Sequence, residues 1–266
     1  MNDPLITLTT DFGYDDPFVG MMKGVILKIN PLANIVDLTH GIRQYDIREA
    51  AYTIGMSYDF FPKKTIHIVV VDPGVGSGRR PVIVMTDHHY FIGPDNGVFS
   101  HIYSQSHETL SVFHITSEHY FLSSGGGTFH GRDIFAPVAA WISRGVNIPN
   151  FGEHITDYHK IPLPFPQVSD NALKGEVILI DKFGNSITNI KAADIEKLYG
   201  AGSISILKIL LKGKEIPLKK FYSQAEDRGV YSLINSTGYL EFFIYRGNAS
   251  SEYNISVGDK VELSAS

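Results

Sequence analysis

The segment that most constrains the fold is Thr65–Val71, a nearly continuous run of apolar and β-branched residues. A strand that is apolar at successive positions is buried on both faces, and such strands are typical of parallel sheets covered by helices. Three shorter segments of strand type accompany it: Leu5–Thr9, Asn34–Leu38 and Val82–Met85.

Three segments that alternate with these strands have apolar residues at helical spacing: Pro17–Ile29, Asp46–Phe60 and Arg132–Ser143. Asp15 or Asp16 is the N-cap candidate of the first helix, because a short side-chain oxygen accepts from the free N–H groups of a first turn. Asp46 is followed three residues later by Glu49, which is a capping-box pattern. Alternating strands and helices predict an α/β domain with a mostly parallel sheet.

The chain changes character near residue 150. Ile148–Pro166 holds four prolines and little periodicity, which indicates a linker. After it, short strand patterns are separated by turn residues, and only Ala192–Leu198 has a helical pattern. The strand patterns are Glu176–Asp181, Ser203–Leu211, Gly229–Ile234, Tyr239–Tyr245 and Lys260–Leu263. We therefore predict an α/β catalytic domain over 1–150, a linker over 151–170 and an antiparallel β-barrel or sandwich over 171–266.

Composition excludes several classes of protein. The net charge of -5 argues against a nucleic-acid binder, which normally has a basic excess. With no cysteine, the chain has neither disulfides nor thiolate metal ligands nor a cysteine nucleophile. The first residues resemble no signal peptide, and the apolar run at 66–71 is far too short to span a bilayer. We expect a soluble cytoplasmic protein with no nucleic-acid or membrane partner.

Three polar clusters follow predicted strands or precede a predicted helix of the first domain, at 10–13, 72–80 and 125–133. Ligands of α/β sheets bind beyond the carboxyl ends of the strands, so these clusters are candidates for one site. The second cluster holds Gly74, Gly76 and Gly78, which allow close backbone approach to a ligand. Their spacing matches neither the phosphate-binding loop nor the dinucleotide fingerprint.

Residue types alone leave the roles of these clusters open. Asp72 also fits a turn before Pro73, Arg79 and Arg80 also fit a solvated pair, and a lone His130 is more often structural. An aspartate, an arginine and a histidine at loop ends of one sheet edge can equally converge on a small polar reactant. The turn-like segments at 181–185, 235–240 and 247–249 are not functional by spacing alone.

Taken together, seven motifs resemble those of one family. They are TDFG at 10–13, VVDPGVGSGRR at 70–80, GPDNG at 93–97, TFHGRD at 128–133, DKFGN at 181–185, NSTGYL at 235–240 and GNA at 247–249. Their order and spacing resemble the S-adenosylmethionine hydroxide adenosyltransferases, the adenosine-forming S-adenosylmethionine hydrolases related to fluorinases and chlorinases. The resemblance implies an α/β domain followed by a β-barrel, no cofactor or metal, and a homotrimer whose active sites lie between subunits.

The resemblance also implies a role for individual residues. A water-activating triad falls on Asp72, Arg79 and His130, with Arg79 chosen over Arg80 by its seven-residue offset from Asp72. Asp72 and His130 are expected to accept hydrogen bonds from the water, and Arg79 to favour hydroxide. The implied substrate contacts are Asp11 to both ribose hydroxyls, Phe12, Tyr45 and Gly131 beside the substrate, Asp181 to the methionine ammonium, Phe183 and Asn185 to adenine, Ser236 to the methionine carboxylate, and Asn248 and Ala249 to the adenine edge.

Three alternative functions stay open at this point. Halide transfer by a relative of the halogenases is disfavoured, because those enzymes are expected to carry tyrosine at the positions of Asp72 and His130, and a carboxylate repels halide. A metallophosphoesterase is suggested by Asp87-His88-His89, although an exposed turn explains that sequence as well. A non-catalytic sensor of S-adenosylmethionine or adenosine is the third.

Overall fold

The computed structural model describes residues 4–105, 107–122 and 127–265. The chain forms two compact units, Met1–Leu163 and Pro164–Ser266. The division falls within residues 151–170, where a linker is predicted. Strands at both ends of that range belong to the two sheets described below, so regular structure continues close to the division.

The first unit is built on a seven-stranded sheet in the order β2-β1-β3-β5-β4-β6-β7. The strands are β1 (Leu5–Thr10), β2 (Asn34–Thr39), β3 (Ile66–Val70), β4 (Pro81–Thr86), β5 (Tyr90–Pro94), β6 (Leu110–Ile115) and β7 (Gly152–Ile155). The strands β2, β1, β3 and β5 are parallel neighbours. Strand β6 points the same way, because it is antiparallel to β4 and β4 is antiparallel to β5. The mostly parallel sheet is thus confirmed, and all five residues of β3 are buried.

Helices cover both faces of this sheet. They are α1 (Phe18–Ile29), α2 (Ile47–Ser57), α3 (Ser100–Ser104) and α4 (Ala136–Ser143). On one face Met22 and Ile26 of α1 pack with Ala139 of α4, and on the other Ile54 of α2 packs with Ile102 of α3. The carboxyl end of each central strand is therefore fixed between two apolar layers.

The helix starts differ in part from the sequence pattern. Asp46 caps α2 as predicted, its side chain accepting from Glu49 N at 2.8 Å. The Glu49 carboxylate, however, binds Arg43 instead of completing the capping box. The predicted Asp15 or Asp16 cap of α1 is wrong: Pro17 occupies the cap position, and its carbonyl accepts from Met21 N.

The third predicted helix begins one residue early and with a wider turn. Gly131–Phe135 forms a π-helical turn that continues into α4. Such turns are often found at functional sites, because they shift the side chains of one helical turn. The turn begins at Gly131, directly after His130, so both predicted site residues lie at its start.

The second unit is a curled antiparallel sheet. Its strands are β8 (Gln167–Ser169), β9 (Ala172–Ile180), β10 (Ser186–Lys191), β11 (Leu207–Leu211), β12 (Lys214–Glu215), β13 (Tyr231–Ile234), β14 (Tyr239–Phe243) and β15 (Lys260–Ala265). The order is β12-β11-β15-β9-β10-β14-β13, with β8 paired to β9. Just after β12, Pro217 O accepts from Ser232 N and Lys219 N donates to Ser232 O, each at 2.8 Å, so the sheet ends curl together.

The pattern of this unit also needs correction. Strand β10 has no counterpart among the predicted strands, and residues 203–206 form a 3₁₀ turn ahead of β11. Helix α5 (Ala192–Tyr199) is confirmed, but a second short helix, α6 (Ala249–Tyr253), follows Asn248. Over the described residues, no helix is both long and apolar enough to cross a membrane.

Candidate active site

Strand β3 delivers Asp72 to the carboxyl edge of the sheet. Val71 links the strand to Asp72, and its carbonyl accepts from Asn96 Nδ2 at 2.9 Å. Asn96 Oδ1 in turn accepts from Val98 N. The GPDNG segment after β5 thus holds the end of β3 in place.

The glycine-rich loop after Asp72 folds back on itself. Gly76 has φ of 78°, a conformation that glycine adopts without steric cost. Ser77 Oγ donates to Gly74 O at 2.6 Å and accepts from Arg79 N at 3.3 Å. A Cβ on Gly74 would lie 3.4 Å from Arg79 Cγ. The loop's small residues therefore let the Arg79 side chain return to Asp72.

Asp72, Arg79 and His130 form one contiguous cluster. Arg79 Nε donates to Asp72 Oδ1 at 2.9 Å, and Arg79 Nη2 donates to Asp72 Oδ2. The same Nη2 contacts His130 Nδ1 at 2.7 Å. The side chains of Arg79 and Asp72 are only 8% and 5% exposed. The Arg79 guanidinium also lies 5.4 Å from the centre of the Phe135 ring.

The contact with Arg79 determines the tautomer of His130. A guanidinium has donors only, so His130 Nδ1 is the acceptor and carries no proton. Burial, and then the positive charge of Arg79, lower the pKa of His130, while Asp72 and Asp133 oppose this. His130 is therefore neutral near pH 7 with its proton on Nε2, and Nε2 is a hydrogen-bond donor.

Arg79 has one donor left over. Its Nη1 is buried and has no hydrogen-bond partner among the described residues. Leaving such a group unpaired costs about 1–3 kcal/mol, so natural proteins usually supply a partner.

Arg80 has a different set of partners. Its guanidinium binds Asp95 Oδ2 through Nε at 3.0 Å and through Nη2 at 2.7 Å, and it reaches Asp157 at 2.9 Å through Nη1. Asp95 Oδ1 also accepts from His159 N at 2.7 Å. Arg80 thus fixes the segment after β7, whereas Arg79 faces the cluster.

The first motif presents Asp11 just beyond β1. Asp11 Oδ2 accepts from Tyr45 N at 2.9 Å. Tyr45 has φ of 65°, uncommon for a residue with a side chain, and its ring is 69% exposed. The loop after β2 is therefore bent so that its backbone meets the Asp11 carboxylate.

Three phenylalanine rings lie beside these loops. Phe12 is 5.7 Å from both Phe18 and Phe129, and the last two rings are 5.3 Å apart. A Cβ on Gly131 would lie 2.9 Å from the Phe129 ring, so glycine permits this packing. Phe12 and Gly131 are predicted site residues. Phe129 lies within the TFHGRD motif but is not among the predicted contacts, and Phe18 lies outside the motifs.

In the second unit, Asp181 organises the turn after β9. Its Oδ1 accepts from Phe183 N at 2.9 Å and from Asn185 N at 2.8 Å, and its Oδ2 accepts from Asn185 Nδ2 at 3.0 Å. The Phe183 ring is 73% exposed, whereas Asn185 is 8% exposed. The turn thus offers an aromatic ring on its surface with a fixed carboxylate at its base.

This turn meets the segment that holds Asn248 and Ala249. Gly184 has φ of 85°, and a Cβ there would collide with the Asn248 side chain at 2.1 Å. Gly184 O accepts from Ser250 N at 2.9 Å. Asn248 Oδ1 caps helix α6 by accepting from Ser251 N, and Ala249 is fully buried. Two motifs that are far apart in sequence are therefore joined at one place.

Ser236 lies on an exposed turn shaped by its neighbour Asn235. Asn235 Oδ1 accepts from Thr237 N at 3.0 Å, and Asn235 Nδ2 donates to Glu241 Oε2 at 3.0 Å. Glu241 is 3% exposed and also accepts from the Tyr222 hydroxyl at 2.7 Å. Sequence reasoning missed Glu241, because its position in a strand pattern predicts an outward side chain.

The Asp87-His88-His89 sequence forms a turn. The Asp87 carboxylate accepts from Glu108 N at 2.8 Å and from the hydroxyl of Thr109 at 2.7 Å. Within the part of the chain that the structure describes, no group of three or more His, Cys, Asp or Glu side chains is placed to hold a metal ion. Gly125 and Gly126 of the third predicted cluster lie outside the described residues.

Comparison with known proteins covers nearly the whole chain. Residues 6–152 match the model of the SAM hydroxide adenosyltransferase N-terminal domain, and residues 175–262 match that of the C-terminal domain. The (R)-S-adenosyl-L-methionine hydrolase of Methanocaldococcus jannaschii is 37% identical, with 97% of this chain and 95% of that protein covered. A fluorinase of Nocardia brasiliensis is 27% identical, with 98% and 96% covered.

The fold agrees with that of a solved structure. An uncharacterized conserved protein from Thermotoga maritima superposes with a TM-score of 0.89 at 32% identity, covering 97% of this chain and 99% of that one. Both domain models match in their expected order, and the motifs of both are held in defined turns. The chain therefore belongs to the SAM hydroxide adenosyltransferase family.

Proposed function

We propose that this protein hydrolyses S-adenosyl-L-methionine to adenosine and L-methionine. The observation that carries the proposal is the contact of Asp72, Arg79 and His130 at the carboxyl edge of the first sheet. Family membership and the hydrolase names of relatives at 27–37% identity support it.

The reaction is a displacement at the ribose C5′ carbon. A bond forms between a water oxygen and C5′, the C5′–S bond breaks, and its electron pair leaves with the methionine sulfur. Because the sulfonium is already an excellent leaving group, the reaction requires neither a metal ion nor protonation of sulfur. The demanding requirement is a water held in line with the C–S bond, about 3 Å from C5′.

The cluster suits this requirement. The buried Nη1 of Arg79 and the protonated Nε2 of His130 are donors, and both favour the developing hydroxide. Asp72 keeps acceptor lone pairs while it binds Arg79, so we assign the water's proton to its carboxylate. Because the acceptor nitrogen of His130 faces Arg79, we assign His130 a donor role toward the water instead of the acceptor role expected from the resemblance.

The rival functions have less support. The Asp72 carboxylate disfavours halide as the nucleophile, and the similar fluorinases are 25–27% identical, below the 37% of the hydrolase from M. jannaschii. Asp87 is occupied by the turn at Thr109, which gives a metallophosphoesterase no support. A non-catalytic sensor needs no buried ion pair beside a reactive position, and detection of adenosine and methionine as products would exclude it directly.

Substrate contacts are proposed on the same basis. Asp11 is assigned to the ribose hydroxyls, with Phe12, Tyr45 and Gly131 around it. In the second unit, Asp181 is assigned to the ammonium group and Ser236 to the carboxylate of methionine, while the adenine is assigned to Phe183, Asn185, Asn248 and Ala249. The fixed turns at Asp181 and Asn248 support these assignments, because rigid turns preorganise a site.

We also propose a homotrimer in which each active site takes residues from two subunits. Substrate-type motifs occur in both units, and a cyclic threefold arrangement supplies one repeated contact for all three sites. Light scattering tests this, and a monomer that stays fully active at nanomolar concentration would refute it. The cytoplasmic location stays a prediction.

The test of function is direct. Purified, chelator-treated protein is incubated with S-adenosylmethionine, and the products are separated by chromatography. We expect equal amounts of adenosine and methionine without added metal. Activity that chelation abolishes and that zinc or manganese restores would refute the metal-independent mechanism, and halide-dependent formation of a 5′-halogenated adenosine would refute hydrolysis.

A further inference from the structure

A buried histidine that the proposed mechanism does not use lies directly behind the Asp11 loop. His40 follows β2, and its side chain is 0% exposed. Its Nδ1 is 2.8 Å from Thr10 Oγ1, at the end of β1. The tip of β1 and the tip of β2 are thus joined through side chains at the edge where Asp11 is presented.

The hydrogen bonds of this cluster have a definite direction. Phe12 N donates to Thr10 Oγ1 at 3.2 Å, which leaves the Thr10 hydroxyl proton for His40 Nδ1. His40 Nε2 faces Asp37 Oδ1 at 3.0 Å, in a geometry bent away from an ideal hydrogen bond. A carboxylate accepts only, so the imidazole proton belongs on Nε2 and Nδ1 is the acceptor.

Asp37 is itself held from two further sides. Its Oδ2 accepts from Lys23 Nζ at 2.6 Å and from the Tyr14 hydroxyl at 3.0 Å. The Tyr14 ring also packs edge-on against the His40 ring at 4.9 Å. Although partial burial opposes it, the hydrogen bonds from Lys23 and Tyr14 and the nearby His40 imidazole lower the pKa of Asp37. The carboxylate is ionised near pH 7 and orients the imidazole.

The cluster fixes the backbone on both sides of Asp11. Phe12 N is bound by the Thr10 hydroxyl, and Gly13 N donates to His40 O at 2.9 Å. Beyond His40, the chain turns until Tyr45 N donates to Asp11 Oδ2. Any rotation of the Asp11 backbone would therefore break the hydrogen bond of Phe12 N to Thr10, that of Gly13 N to His40, or that of Tyr45 N to the Asp11 carboxylate.

We propose that Thr10 and His40, oriented by Asp37, are positioning residues for Asp11. They hold the loop at the angle at which its carboxylate receives the ribose diol. This inference rests on the proposed function for its effect on substrate, but the positioning itself is a property of the free protein. The Thr10 hydroxyl is the element that can be removed with the least change in shape.

The same strand offers a matched control. Thr7 Oγ1 lies 2.7 Å from His67 Nδ1, and Thr7 is as fully buried as Thr10. Thr7→Val and Thr10→Val therefore remove the same kind of buried threonine–histidine hydrogen bond from β1. Only the bond between Thr10 and His40 lies beside Asp11. Thr10→Ser keeps the hydroxyl and serves as the conservative variant.

The experiment compares the three variants with the parent protein by steady-state kinetics and by hydrogen exchange. We expect Thr10→Val to raise KM for S-adenosylmethionine about tenfold with a smaller change in kcat, and Thr10→Ser to restore KM to within about twofold of the parent. Thr7→Val should lower thermal stability by a similar amount and leave KM unchanged.

Hydrogen exchange separates the two proposals. The amides of Phe12 and Gly13 should exchange faster in Thr10→Val but not in Thr7→Val, whether or not the protein turns over S-adenosylmethionine. Faster exchange in Thr10→Val, together with a parent protein that does not turn over S-adenosylmethionine, would overturn the proposed function and keep the positioning role. Unchanged exchange, or an equal rise in KM in both valine variants, would overturn the positioning role.

Discussion

Replacing Asp72 with asparagine tests the reactive cluster most sharply, because it removes a charge and little volume. The parent carboxylate forms a two-point ion pair with Arg79, and both side chains are at least nine-tenths buried. Removing one partner of a buried pair costs about 3–5 kcal/mol. A total stability of about 5–15 kcal/mol tolerates that loss, so Asp72→Asn should still fold.

The fall in kcat of Asp72→Asn should be far larger than any decrease in the fraction of folded protein would explain. Losing a positioned base typically lowers the rate by about 10²–10⁴-fold. The proposed contacts to ribose, adenine and methionine are made by other residues, so the affinity for S-adenosylmethionine should change little. His130→Ala should behave in the same direction, and the double variant should be little worse than the worse single one.

A neighbouring ion pair supplies the control. Arg80 and Asp95 form an ion pair whose carboxylate is 4% exposed and whose arginine is 25% exposed, and Arg80 binds Asp95 and Asp157 instead of Asp72. Asp95→Asn should lower the free energy of unfolding to a similar extent, yet keep kcat per folded active site within a few-fold of the parent.

The assay is kcat per folded active site, with binding measured by calorimetry on the same samples. A well-folded Asp72→Asn variant with near-normal kcat would remove Asp72 from the mechanism. If binding fell in parallel with the rate, Asp72 would belong to substrate recognition. An equal fall in kcat for Asp95→Asn would show that stability, and not chemistry, explains the loss.

Three further perturbations test separate parts of the account. Asp11→Ala should raise KM strongly, since charge-assisted bonds to two ribose hydroxyls are worth about 1.5–3 kcal/mol each, and an unchanged KM contradicts the assignment. Burial, and then the charge of His89, lower the pKa of His67 from 6.5 to about 3. Folding therefore favours the neutral imidazole, and this contribution to the free energy of unfolding is present above pH 6.5 and lost as pH falls. In urea unfolding, the free energy of unfolding of the parent protein should fall by about 2.5 kcal/mol between pH 7 and 4.5, and that of His67→Gln should fall by less. Burial raises the pKa of Glu241, so its ionisation lowers the free energy of unfolding as pH rises. The free energy of unfolding of Glu241→Gln should therefore increase relative to that of the parent protein between pH 4 and 7. A difference that does not change with pH would refute this.

The apolar framework follows readily from the sequence. Strand β3 is predictable because its residues are apolar and branched at every position but one, and the exception, His67, is neutral and bonded to Thr7. Strand β10 is missed for the opposite reason. Its Ser186, Thr188 and Asn189 are polar yet buried, with Asn189 bonded to Glu176 N and Pro164 O. Such hydrogen bonds are invisible to a hydrophobic pattern.

The site is predictable in its residues but not in its chemistry. The family resemblance implies Arg79 as the partner of Asp72, and the two side chains are in contact. Which nitrogen of His130 faces Arg79 depends on tertiary packing, and it determines whether the histidine donates or accepts. The role of His40 is hidden likewise, because its partners Thr10 and Asp37 have no distinctive spacing from it.

The central claim is that water attacks the ribose C5′ carbon. The most direct measurement is turnover of S-adenosylmethionine in water enriched in ¹⁸O, followed by mass spectrometry of both products. Attack by water at C5′ predicts one ¹⁸O atom in adenosine, at the 5′ oxygen, and none in methionine. Adenosine without the label, label in methionine, or no adenosine from well-folded protein would contradict it.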